Sequence, residues 1–333
     1  MNIAAAQSGG PTCAINASLA GVFSEASRNE QIDKIYGSIN GIEGIINDRL
    51  VEMSSIIKSN KDLELLKLTP STVLGSCRFK LPDADDNSEV YEKIISCFKR
   101  NNIDIFFYIG GNDSMDTVDK MSKYCKENGV DDVFVVGAPK TIDNDVWGTE
   151  MTFGFQSAVD IATEVIDCIH TTATSHGRIF IVEVMGHKVG WLTLYAGLAG
   201  GADIILVPEI PYDINKVAAA VNKRAKEGKR FSIIAVAEGA ISKEQAALSK
   251  KEYKKYIATR QYPSISYEIG AKISELTGQE VRVAVPGHMQ RGGSPCPYDR
   301  VLSTRLGAAA GKMILDGEFG YLVGMKNNHI AKI

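Results

Sequence analysis

The sequence lacks a CxxC pair, a long run of one charge, an apolar stretch of membrane-spanning length and any internal repeat. Each gap closes off a class. The six cysteines (Cys13, Cys77, Cys97, Cys125, Cys168 and Cys296) are scattered, which excludes a zinc ribbon or disulfide framework and fits reduced thiols in a cytoplasmic protein. Lys+Arg 37 against Asp+Glu 40 leaves a net charge of -3, with no basic excess for a nucleic-acid surface. A few arginines at one place can still bind a small anion. No membrane span is expected. The opening "MNIAAAQSGG" has no basic n-region and reads as a first strand, not a signal peptide.

What is present is alternation. Short β-branched or apolar runs at 3–6, 105–109, 133–137, 179–184, 204–207, 233–236 and 281–285 end in glycine or polar clusters. Between them lie helical patterns such as 89–100 and 215–226, with apolar residues three and four apart. This order predicts an α/β protein of parallel sheets with helices on both faces, whose ligands bind beyond the carboxyl ends of the strands. A length of 333 residues with 44% hydrophobic content suits one large or two medium domains. The expected boundary lies near 145–154, with the chain crossing back around 288–298.

The strand ends carry the chemistry. "QSGGPTCAINASLAG" (7–21) sets Gly9 and Gly10 after a strand, where they allow a tight turn and let backbone N–H groups approach an anion. A bending role alone fits the same letters. "YIGGNDSMDT" (108–117) repeats the plan at Gly111 and adds Asn112 and Asp113, oxygen donors for Mg²⁺ or caps for the next helix. It is neither a dinucleotide fingerprint nor a P-loop. "PKTIDND" (139–145) places Asp143 and Asp145 one residue apart, beside Lys140. On an extended segment both carboxylates point the same way, as proton abstraction or metal binding requires; an Asp-Asn-Asp turn is the alternative. Glu183, inside the apolar run of "GRIFIVEVMGHKVGW" (177–191), must be paired or face a cleft, since an unpaired buried carboxylate is costly. "VPGHMQRGGSPCPYDR" (285–300) puts His288 and Arg291 three residues apart on a Gly/Pro-rich loop, a pair suited to a phosphate monoester.

Taken in order, "SGG…NA", "LGSCRF", "GGNDS", "PKTIDND", "EVMG", "VPE", "AEG" and "GHMQRGGSPCPYDR" resemble the 6-phosphofructokinase family over nearly the whole chain. The resemblance implies two Rossmann-like three-layer α/β/α domains with the active site in the cleft between them. It assigns 1–150 with about 290–305 to a phosphoryl-donor domain, and 151–289 with about 306–333 to a fructose 6-phosphate domain. It implies Mg²⁺-dependent phosphoryl transfer to the 1-hydroxyl of fructose 6-phosphate, in which catalysis is positioning and electrostatics. By position, Asp143 is the general base, Asp145 its helper, Thr141 lies beside the transferring group, and Arg78 stabilises its charge. Gly9, Gly10, Gly111, Asp113 and Lys140 fall at the donor, and Asn112 and Asp113 at the metal. Arg178, Arg282, His288 and Arg291 hold the sugar phosphate, with Met185, Gly186, His187 and Glu238 around the sugar. Arginines at the positions of Arg178 and Arg282 reach across a subunit interface in the family, so a homodimer or homotetramer is implied.

Two positions bear on the donor. Family members that use ATP read "GGDGS" and "PGTIDND"; this chain has Asp113 and Lys140 at those glycines. Asp113 would repel a nucleotide phosphate and Lys140 would attract a smaller, more highly charged donor. The expected donor is therefore pyrophosphate in a reversible reaction, as in the pyrophosphate-dependent enzymes, with ATP as the alternative. Asn112 stands at a usual aspartate and His187 at a usual arginine. Leu19 and Phe23 replace effector-binding arginines, and the chain stops at Ile333 where relatives usually continue. These departures imply absent allosteric control and either a short variant or the lack of a C-terminal element, and they keep a non-catalytic sugar-phosphate-binding subunit as a rival class. An NAD or lipid kinase is disfavoured by the His288/Arg291 loop.

Overall fold

The computed structural model describes residues 1–333 and divides into two units, Met1–Ser157 with Arg291–Ile333, and Ala158–Gln290. In the first, β1 (Asn2–Gln7), α1 (Ile15–Ala26), β2 (Lys34–Ser38), α2 (Ile42–Ile46), β3 (Leu50–Glu52) and α3 (Asn60–Leu68) come in succession. Next are α4 (Ser88–Arg100), β4 (Ile105–Gly110), α5 (Asn112–Glu127) and β5 (Phe134–Pro139). The chain leaves along α6 (Phe155–His176). The second unit runs through β6 (Ile179–Val184), α7 (Trp191–Ala199), β7 (Ile204–Leu206), α8 (Ile214–Lys226) and β8 (Ser232–Ala237). It continues with α9 (Lys243–Ala246), α10 (Lys250–Thr259), α11 (Ile265–Thr277) and β9 (Val281–Ala284). On its return the chain adds α12 (Pro297–Leu315), β10 (Tyr321–Lys326) and β11 (His329–Lys332).

The first unit holds a seven-stranded sheet in the order β11-β10-β5-β4-β1-β2-β3. Its middle strands β1 and β4 are buried at every residue, which explains the apolar runs at 3–6 and 105–109 inside them: helices cover both faces. One face packs α1 and α12 through Ile15, Leu19, Leu302 and Leu306; the other packs Tyr91, Ile94, Phe98 and Met121 of α4 and α5. Leu19 and Phe23 belong to the first of these cores. Glycine sets the closeness of α1 to α12. A Cβ on Gly307 would stand 2.0 Å from the Ser18 carbonyl oxygen, and one on Gly21 would stand 2.4 Å from that of Thr304.

Residues 306–333, expected with the second domain, belong to the first unit. β10 lies parallel to β5, pairing Tyr321 with Val136 and Leu322 with Gly137, and buries Val323 and Met325. The second unit has a four-stranded parallel sheet ordered β7-β8-β6-β9. Its core joins Ile181, Ile234 and Val236 to Val217 and Val221 of α8 and Ile269 and Ile273 of α11. None of the six cysteines is in a disulfide, and no helix is long and apolar enough to cross a membrane.

Candidate active site

In the first unit β1, β4 and β5 are parallel neighbours, so their carboxyl ends fall side by side, with Gln7 level with Ile109 and Gly110 level with Pro139. Gly9 turns the chain after β1 with φ +77°, a left-handed value that glycine adopts without strain. Its N–H donates to the Cys77 carbonyl at 3.0 Å and its own carbonyl accepts from Ser76 Oγ at 2.6 Å. The loop carrying Arg78 is thereby fastened to this turn, with Arg78 itself exposed.

Lys140 follows β5 and runs under the same turn. Its Nζ donates to the Gly10 carbonyl at 2.6 Å, its backbone N–H to that of Gly110 at 2.8 Å, and the residue is only 2% exposed. Burial, with the Arg291 and Arg78 guanidinium groups, lowers its pKa from 10.5 to about 8; Asp143 and Asp145 oppose the shift. Lys140, Arg291, Arg78, Asp143 and Asp145 therefore share one electrostatic neighbourhood. A Cβ on Gly10 would lie 3.0 Å from Arg291 Cζ, and one on Gly9 would lie 3.0 Å from Lys140 Nζ. The missing side chains are what let two cations approach the turn. Arg291, grouped with the sugar phosphate from sequence, stands in this first unit beside Gly10.

This lysine gives a measurable pH dependence. Its folded pKa lies below its unfolded one, so between about pH 8 and 10.5 the unfolded chain holds more protons, and stability rises with pH across that window. In denaturant titrations, wild type is expected to gain stability relative to Lys140→Met as pH rises from 8 to 10.5. A constant difference between the two proteins would refute the assignment.

Asp143 and Asp145 do not lie on an extended segment. Asn144 between them adopts φ +54°, accepts the Thr152 N–H on Oδ1 at 2.8 Å and donates from Nδ2 to the Glu150 carbonyl at 3.2 Å. The Asp-Asn-Asp turn is thus the conformation, and an asparagine suits its left-handed centre. Thr141, buried, accepts the Asp143 N–H on Oγ1 at 3.0 Å and so fixes the first carboxylate's backbone. Asp145 is met across the strand ends by Asn112, whose Nδ2 donates to Oδ2 at 2.7 Å. Gly111 caps α5, and Asp113 is exposed in that helix's first turn. Asn112 and Asp145, in contact, and the adjacent Asp113 offer only oxygen donors to a metal, and no group of three or more His, Cys, Asp or Glu could hold one unaided. That composition suits a hard cation shared with substrate phosphates.

In the second unit β6 and β8 are neighbours, and the chain leaving them builds a second cluster. Glu238 Oε1 accepts the N–H groups of Gly186 at 3.2 Å and His187 at 2.8 Å. This holds Met185–Gly186–His187 in a turn with φ +148° at Gly186 and +52° at His187. Gln290, absent from the sequence-derived set, accepts the Met185 N–H at 3.2 Å and donates to the Gly287 carbonyl at 3.1 Å. It fastens the exposed His288 turn to Met185. Its only sequence signal was its place inside "GHMQRGG". Glu183 is paired: Oε2 accepts from Ser264 Oγ and from the Ser266 N–H at 3.2 Å, supplying α11 with the N-terminal cap its own Ser264 side chain does not provide.

Arg178 and Arg282 stand elsewhere. Arg178 precedes β6, and Arg282, second in β9, is level with Phe180. Along β6 at about 3.3 Å per residue, Arg178 is roughly 26 Å, and Arg282 roughly 20 Å, from Gly186. Within one chain they do not join the Glu238 cluster. Both are bound instead to Glu280, a residue the sequence reading missed because its pairing with Arg178 spans 102 positions.

Comparison with known proteins agrees with this architecture. A family model described as phosphofructokinase matches residues 2–314. A curated relative from Spirochaeta thermophila, ATP-dependent 6-phosphofructokinase, is 41% identical over 98% of this chain and 87% of its own. Three further curated relatives, 38–39% identical over 98–100% of the chain, are also named ATP-dependent. A pyrophosphate--fructose 6-phosphate 1-phosphotransferase from Amycolatopsis methanolica is 41% identical over 82% of this chain and 76% of its own. Among solved structures, a pyrophosphate-dependent phosphofructokinase from Nitrosospira multiformis superposes with a TM-score of 0.87 at 27% identity, covering 99% of this chain and 82% of that one.

Proposed function

The chain belongs to the phosphofructokinase family, and from that premise we propose that it transfers the γ-phosphoryl group of ATP to the 1-hydroxyl of fructose 6-phosphate. The observation that carries the reading is the cluster beyond β1, β4 and β5, where Lys140, Arg291, Arg78, Asp143 and Asp145 gather around a glycine turn. Pyrophosphate, expected from Asp113 and Lys140, is withdrawn as the donor: four curated relatives, 38–41% identical over 98–100% of the chain, are named ATP-dependent. Lys140 itself offers a physical reason. Its ammonium is buried and bonded to the Gly10 carbonyl, so it braces the donor turn and is not a free cation awaiting a small anion.

Asp143, held by Thr141 and the Asn144 turn, takes the proton of the sugar 1-hydroxyl as that oxygen attacks the γ-phosphorus, whose bond to the bridging oxygen breaks to release ADP. Arg78 and Arg291 offset the charge on the transferring group, and the first-turn N–H groups of α5 are oriented for phosphate oxygens. Asn112, Asp113 and Asp145 would hold Mg²⁺ jointly with the nucleotide, which neutralises phosphate charge when bound. In the second unit, the Glu238-braced turn and His288 read the sugar. Because Arg178 and Arg282 lie far from that turn, they serve the sugar phosphate of another copy, in a homodimer or homotetramer.

The test is a coupled assay of purified protein with fructose 6-phosphate and MgATP or Mg-pyrophosphate. Turnover is expected with ATP. Turnover with pyrophosphate and none with ATP overturns the donor, and none with either overturns the enzyme.

A further inference from the structure

Two guanidinium groups from neighbouring strands converge on one carboxylate at the amino edge of the second unit's sheet. Arg178 Nε donates to Glu280 Oε2 at 2.7 Å, and Arg282 Nη2 donates to Glu280 Oε1. Both oxygens are thus engaged, one per arginine. The three side chains are partly open to solvent, 29% for Arg178, 57% for Arg282 and 46% for Glu280.

We propose that Glu280 is an internal stand-in for a phosphate group: it occupies the point where Arg178 and Arg282 converge and must be displaced by the phosphate of fructose 6-phosphate. The proposal rests on the reading of these two arginines as phosphate ligands. Charge supports the exchange. One carboxylate leaves the pair of guanidinium groups with an excess of one positive charge, whereas a phosphate monoester brings nearly two negative charges and three acceptor oxygens. Tethering supports the competition. Glu280 sits immediately before β9, its carbonyl accepting the Ile179 N–H at 3.1 Å, which ties its backbone beside the residue that follows Arg178. Burial opposes ionisation of Glu280, but the Arg178 and Arg282 guanidinium groups outweigh it and hold the carboxyl below the usual range. Glu280 is therefore an affinity-setting residue that touches neither the sugar nor the donor.

The test is equilibrium binding and steady-state kinetics of Glu280→Gln in the otherwise intact protein, with Glu280→Ala as a second variant should the first fold poorly. Affinity for fructose 6-phosphate is expected to rise about two- to fivefold, the contribution an exposed ion pair makes. The gain falls on Kd and KM and not on kcat, inorganic phosphate gains as a competitor by a similar factor, and the effect disappears in an Arg178→Ala background. Unchanged or weaker binding by both variants overturns the proposal, because Glu280 would then be aligning the arginines and not competing for them. Arg178→Ala and Arg282→Ala are the separate arm: if neither weakens binding, the reading of the arginines fails, and the proposal with it. If they weaken binding while Glu280→Gln does nothing, only the proposal falls.

Discussion

Asp143→Asn is expected to lower kcat by roughly 10²- to 10⁴-fold while leaving KM for both substrates little changed, the range lost when a positioned general base is removed. The amide is isosteric and keeps the local backbone, because what fixes this position is the Asp143 N–H bonded to Thr141 Oγ1 and the Asn144 side chain bonded to Thr152 and Glu150. The variant loses the ability to take a proton, together with the negative charge that acts on Lys140. Asp145 Oδ2 accepts from Asn112, so Asp145→Asn disturbs that hydrogen-bonded pair. Steady-state kinetics on variants with wild-type melting behaviour decide the matter. A loss in Asp143→Asn smaller than about tenfold would remove Asp143 from the role of base.

Gly307→Leu is expected to cost the first unit about 3 kcal/mol or more, the upper end of what overpacking a core does. Nothing flexible stands in the way of the new side chain. Its Cβ meets the backbone of Ser18 at 2.0 Å, so α1 and α12 must move apart. That separation opens the core around Leu19, Leu302 and Leu306. A shift in urea midpoint reports the loss; a cost below about 1 kcal/mol would mean that the helices part without losing their contact.

The sequence was most readable where one physical demand acts alone. β1, β4, β6 and β8 are buried at every residue, so their apolar runs announced them, and the glycines and acids beyond them marked the carboxyl ends. β2, β3, β10 and β11 went unnoticed. Lys34–Ser38 contains a glycine and an exposed lysine, Leu50–Glu52 has three residues, Tyr321–Lys326 has exposed ends around a short buried centre, and His329–Lys332 has exposed ends and no fully buried residue. The placement of 306–333 failed for a related reason: β10 chooses its partner β5 through a register far apart in sequence. At the site, the identities of the acid pair were legible but its geometry was not, since the spacing of Asp143 and Asp145 does not reveal a left-handed Asn144. Lys140 was legible as a cation. That the cation points inward to the Gly10 carbonyl depends on a bond spanning 130 positions. Glu280 escaped for the same reason, whereas Glu183 was anticipated, because a lone carboxylate in an apolar strand has to be answered by some partner.

The split of the first unit into Met1–Ser157 and Arg291–Ile333 has a consequence during synthesis. The ribosome delivers α1 with its Gly21 face bare, and the helix that covers it is made only after the whole second unit has been translated. Ala158–Gln290 is contiguous and has all its strands together first. The nascent chain is therefore expected to mature out of order, the middle of the message folding before its beginning. Until α12 and β10 emerge, the glycine turn at Gly9 and Gly10 belongs to a sheet that still lacks β10 and β11.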